Sequence, residues 1–180
     1  TLPAFADTWY IDDGDISISA GTNGNNITQG STTKENDTDT VITNRESTAS
    51  SNTVTIDADE GKTVNVTLDN VTINVDEGYE HGYDPNAYKT AVSVTGSGNT
   101  NIELNGNNTL TSGYGHAGLE HNKTDDSGTL TIQDEKNDDG SAKGSASDTT
   151  GSLTATGGYH SAGIGGSDEH DGQVTITGGE

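Results

Sequence analysis

The chain has no cysteine, no methionine, one tryptophan, one phenylalanine and two prolines in 180 residues. Without cysteine there is no disulfide framework, no thiolate-held zinc and no thiol chemistry. Positive charge is equally short. Seven Lys plus Arg stand against 29 Asp plus Glu, and the net charge of −22 repels a nucleic-acid backbone or an anionic membrane surface. No run of 18 apolar residues occurs, so no helical membrane insertion is expected of this segment. Leu, Ile, Val and Phe make up less than one-fifth of the chain, a level at which a highly charged sequence raises the question of disorder.

The placement of those scarce aliphatics answers that question. They recur two residues apart in short runs: Ile16-Ser17-Ile18, Val54-Thr55-Ile56, Val64 to Leu68, Val71 to Val75, Val92-Ser93-Val94, Ile102-Glu103-Leu104, Leu130-Thr131-Ile132, Leu153-Thr154-Ala155 and Val174-Thr175-Ile176. Period-two alternation predicts half-buried strands, and the Gly, Asn and Asp between the runs predict turns. The abundance of Thr, Ser, Asn, Asp and Gly favours strands and turns over helices. Polar inserts at residues 32–39, 76–89 and 133–150 read as loops within one architecture. At the start, Ala4-Phe5-Ala6 before Asp7 has the small-x-small form that ends a secretory signal, so residues 1–6 are expected to be its remnant. Residues 7–180 are expected to form one domain that continues beyond residue 180.

An internal repeat narrows the fold. "GYGHAGLEHNKTDDSGTLTIQD" and "GYHSAGIGGSDEHDGQVTITGG" align Gly113-Tyr114 with Gly158-Tyr159, Ala117-Gly118-Leu119 with Ala162-Gly163-Ile164, and Leu130-Thr131-Ile132 with Val174-Thr175-Ile176, at offsets of 45, 45 and 44 residues. Short strands repeating at such a period predict stacked coils. The expected fold is an all-β right-handed parallel β-helix with irregular loop insertions. It needs only a narrow aliphatic column per coil. The alternative is an antiparallel β-sandwich, which normally calls for bulkier aromatic core residues than this chain supplies.

The phrases "NTVTIDADEGKTVNVTLDNVTINV", "AVSVTGSGNTNIELNGNNTLTSG", "HAGLEHNKTDDSGTLTIQD" and "SAGIGGSDEHDGQVTITGG" resemble the secreted bacterial carbohydrate-binding right-handed β-helix family, which is calcium-associated. Similar phrasing also occurs in large Gram-positive surface proteins. The resemblance runs from about Ile16 to the C-terminus and is carried by strand-and-turn phrasing without a catalytic signature. It implies an extracellular module associated with glycans and with Ca²⁺.

Among candidate residues, the glycine-rich stretch "GGYHSAGIGG" lacks the Gly-Lys-[Ser/Thr] and the following helix of a phosphate loop. The loop and strand-end aromatics suit stacking on a pyranose face. Tyr114 and Tyr159 share a repeat position and are expected to stack, with His116 and His160 nearby as hydrogen-bond donors; Tyr83 and Tyr88 are further stacking candidates. Trp9 and Tyr10 are expected to cover the N-terminal end of the coils. Acidic loops suggest calcium ligands at Asp134, Glu135, Asp138 and Asp139 and at Asp168, Glu169 and Asp171. "EKNDDG" begins like an EF-hand loop, but Ala146 stands where its bidentate Glu belongs. No HExxH and no motif around any Lys or Arg points to catalysis. The expected function is therefore non-catalytic glycan binding or adhesion, to a polysaccharide or host glycan, by a secreted or cell-surface bacterial protein. The alternatives are a purely structural β-helical stalk and a polysaccharide lyase acting on acidic glycans.

Overall fold

The computed structural model describes residues 7–134 and 151–180. Residues 1–6, Glu135, Asp138 and Asp139 lie outside the described residues. Within them the chain is all-β, and each of the nine alternating runs falls in or overlaps a strand. The strands are β1 (Asp7–Tyr10), β2 (Ile16–Ala20), β3 (Asn25–Gln29), β4 (Thr32–Asp37), β5 (Thr40–Thr43), β6 (Val54–Asp57), β7 (Thr63–Asp69) and β8 (Thr72–Asn74). They continue with β9 (Val92–Thr95), β10 (Asn99–Thr111), β11 (Leu119–Glu120), β12 (Leu130–Asp134), β13 (Gly151–Thr156), β14 (Ile164–Gly165) and β15 (Thr175–Ile176).

The chain passes back and forth between two sheets. One is parallel and runs β1-β5-β7-β10-β12-β15, with β8 and β13 attached to the C-terminal part of β10; the other is mixed and runs β14-β11-β9-β6-β2-β3-β4. Every pairing among the described strands is parallel except within β2–β3–β4. An antiparallel sandwich, the alternative expectation, does not account for such sheets. Parallel neighbours need a long connection, and here the connection between neighbours in one sheet carries a strand of the other.

Register stacks like on like. In the second sheet Ile16, Val54, Val92, Leu119 and Ile164 follow one another across the strands, as do Ile18, Ile56 and Val94. In the first, Ile42, Leu68 and Leu104 align, and so do Val66, Ile102 and Ile132. Most of these side chains are fully buried, each contributing roughly 1.5–3 kcal/mol of transfer free energy. One row breaks the pattern: Val64, Thr100 and Leu130 align, and the buried Thr100 hydroxyl has no hydrogen-bond partner among the described residues.

Asparagine turns the corners. β10 pairs with β7 and β12 through its first half and with β8 and β13 through its second, bending at Gly106, whose φ is +64°. The buried Asn108 amide donates to Asn105 O and Ser152 O (both 3.2 Å) and accepts from Val71 N (2.8 Å), satisfying the backbone where the sheet ladder is interrupted.

The segment 32–39, expected to be a loop, is mostly strand. β3 and β4 form an antiparallel extension on the edge of β2, which covers a row of backbone groups that would otherwise template pairing with another chain. Asp37 ties the extension to β1, because its carboxylate accepts from Trp9 Nε1 (3.1 Å) and Thr40 Oγ1 (3.1 Å). Trp9 itself packs into the core at this end, and Arg45 lies 3.8 Å over the Tyr10 ring.

Two substitutions test the aligned rows. Leu104→Ala should lower the free energy of urea unfolding by about 3 kcal/mol. Thr100→Val, which removes the orphan hydroxyl at nearly constant volume, should raise it by about 1 kcal/mol.

Candidate ligand-binding cleft

Three of the six tyrosines fall in the insert at residues 76–89, and the structure folds that insert over the rung tyrosines of the repeat. Tight local turns shape it: Asp76 Oδ1 accepts from Gly78 N (2.9 Å) and Asp84 Oδ1 from Asn86 N (3.0 Å). Tyr88 anchors it from beneath, its hydroxyl accepting from His81 N (3.0 Å) and donating to Gly82 O (3.2 Å). Tyr88 is buried, so this candidate for sugar stacking is a prop beneath the loop.

Glycine brings the repeat tyrosines together. A Cβ at Gly158 would run into the Gly113 carbonyl and the Tyr114 backbone, so its absence lets one pass approach the next closely. Gly115 N then donates to Tyr159 O (3.1 Å) and Gly158 N to His116 O (2.9 Å). Tyr114 and Tyr159 stack as the register requires, with centroids 5.8 Å apart and planes 22° apart.

Around that pair the other rings stand on edge. Tyr79 meets Tyr83 at 5.2 Å and 74°, Tyr79 meets Tyr114 at 5.5 Å and 62°, and Tyr83 meets Tyr114 at 6.0 Å and 79°. Edge-to-face contacts of this kind add roughly 0.5–1.5 kcal/mol each beyond burial. Tyr114 is buried at the centre, whereas Tyr79, Tyr83 and Tyr159 are 53%, 80% and 67% exposed. With Asp76, Gly78, Gly157 and Gly158 they line an open cleft of about 460 Å³. This volume suits a small ligand or one to a few ring units of a chain.

The two histidines expected beside the tyrosines do not act as a pair. His116 Nδ1 lies 3.0 Å from Glu120 Oε2, which also accepts from Ala117 N, and His116 is not among the residues lining the cleft. Its position 45 residues on is Ser161. His160 packs edge-on against Tyr159 at 4.1 Å; its counterpart 45 residues earlier is Gly115. Both adopt positive φ, 67° and 78°, so the turn demands a left-handed residue that His160 supplies at a cost of about 1 kcal/mol.

The acidic candidates do not gather. Among the described residues no group of three or more His, Asp or Glu side chains is placed to hold a metal. Asp168 faces His160 Nδ1 at 4.0 Å, the Asp171 carbonyl accepts from Lys123 N, and Glu169 is exposed at a positive-φ turn. Asp134 closes β12 opposite Leu104. Calcium therefore does not fit the described side chains, and no role here is routed through it.

Sequence reading missed Tyr79 and Asp76 as cleft residues. The signal was the concentration of tyrosine in one insert, but nothing in the local pattern tells which way the insert folds. No family model, curated protein or solved structure matches this chain.

Within the cluster, loss of hydration, then a side-chain hydrogen bond with Tyr83, pushes the Tyr79 phenol up from 10 to about 12, and loss of hydration also raises Tyr114. An unfolded chain releases the Tyr79 proton near pH 10 and the folded one near pH 12. The associated stability is therefore complete below pH 10 and lost as the pH rises through about 12. Ultraviolet titration of the phenols should show a component above the ordinary tyrosine range, and Tyr79→Phe should remove it.

Proposed function

We propose that the chain forms the coils of a right-handed parallel β-helix, secreted or displayed on a bacterial surface, and that it binds a glycan without altering it. The recurrent parallel registers and the 45-residue repeat support the coil reading. One observation carries the binding reading: Tyr79, Tyr83 and Tyr159 present exposed ring surface to one cleft although the chain holds few aromatic residues. Exposed aromatic surface is costly in water, and a stalk that only displays another domain has no use for it. Rings with a polar hydroxyl at the edge stack on the C–H face of a pyranose while the hydroxyl bonds its substituents.

The mechanism is passive. Tyr114, fixed by backbone hydrogen bonds between passes, sets the plane of Tyr159. The insert supplies Tyr79 and Tyr83 as crossing walls. A cleft whose walls are held before the ligand arrives loses little side-chain entropy on binding.

Affinity electrophoresis through gels containing neutral, acidic and amino polysaccharides tests this. At least one class should retard the protein. Tyr83→Ala and Tyr159→Ala should each weaken that retardation about fivefold with little change in melting temperature, because both side chains are largely exposed. Free migration through every gel would overturn the reading in favour of a stalk. Release of unsaturated product from a uronate polymer would overturn it in favour of a lyase.

A further inference from the structure

The charge around the cleft restricts what it can hold. None of its described lining residues is cationic, and Asp76 is one of them. The insert that forms one wall carries Asp76, Glu77, Glu80 and Asp84 against a single lysine, Lys89. From the opposite side Asp168 sits close enough for its field to act on Tyr114. Histidines also face the region: His81 stands 3.6 Å from Glu77 and 5.6 Å from the Tyr88 ring, and His160 lies between Tyr159 and Asp168. Each thus stands beside a carboxylate.

The rings add to the same preference. An aromatic face carries negative electrostatic potential. Tyr79, Tyr83 and Tyr114 are crossed at 74°, 62° and 79°, so their faces point in several directions around one small volume. That arrangement holds a cation better than a single flat platform does, because several quadrupoles can act on it together. A uronate would meet both the carboxylates and the negative ring faces and be opposed by each.

We infer that the cleft takes a glycan bearing a cationic nitrogen, a protonated amino sugar or a quaternary-ammonium substituent, with Tyr79, Tyr83 and Tyr159 contacting the charge and Asp76 balancing it. This rests on the reading of the cleft as a glycan site. The ammonium group lies against the ring faces, the sugar ring lies on Tyr159, and no covalent bond changes. The overall charge of −22 attracts any polycation, so the test must separate the cleft from the bulk field.

Calorimetric titration of the whole chain with two oligosaccharides of one hexosamine backbone, one with free amines and one fully N-acetylated, makes that separation. The free-amine form should bind about tenfold tighter. Asp76→Asn keeps an oxygen to accept from Gly78 N and should narrow the preference about threefold. Tyr83→Ala leaves the net charge untouched and should weaken free-amine binding about fivefold. Equal or tighter binding of the N-acetylated form would overturn the cationic assignment while leaving glycan binding in place. A free-amine preference unmoved by both variants would assign it to net charge and overturn the inference too. No heat with either sugar, joined to free migration through every polysaccharide gel, would remove the glycan reading itself.

Discussion

Parallel hydrogen bonding between successive passes is the constraint on which the rest depends. A parallel strand has no nearby partner in sequence, so each pairing closes a loop of 25 or more residues before it returns any stabilisation. Register must then be held without the help of tight hairpin turns. It is held by matching rows: aliphatic on aliphatic inside, and side-chain amides at the corners, as where Asn101 Nδ2 donates to Asn65 Oδ1 at 2.9 Å. A slip of one residue would turn every buried row to solvent.

That constraint explains how so acidic a chain folds with so few large apolar residues. Each pass needs only two or three aliphatics pointing inward, and the same small set serves both neighbouring passes. Acidic residues are left to the outer face and the corners, where several accept backbone hydrogen bonds: Asp15 Oδ1 from Thr53 N, Asp12 Oδ2 from Arg45 N. At the open edge of β2 the solution differs, since the polar β3 and β4 cover it by antiparallel pairing.

Much of this was legible in the residues. Alternation located the strands whose buried face is aliphatic, and the repeat of Tyr114 at Tyr159 foretold a stacked pair that the structure contains. β4, "TTKEND", was not legible because nothing apolar marks its inward face; its position is set by pairing with β3. The cleft was legible only in part. Which of the tyrosines are exposed and which are props follows from contacts between residues distant in sequence, above all Tyr114 packed on both Tyr88 and Tyr159. The histidine counterparts misled because His116 and His160, though both two or fewer residues from a rung tyrosine, do not occupy the same repeat position.

The insert at residues 76–89 leaves after β8 and returns before β9, so it interrupts no paired strand. One wall of the cleft is therefore exchangeable hardware bolted to a fixed bench: Tyr114 and Tyr159 belong to the ladder and cannot move without breaking it, whereas the crossing tyrosines and their carboxylates can be replaced as a block. Loops tolerate such exchange far better than the elements they join. A change of ligand in a relative of this chain would then leave its trace in the length and charge of that one insert, and the strand rows on either side would read almost unchanged.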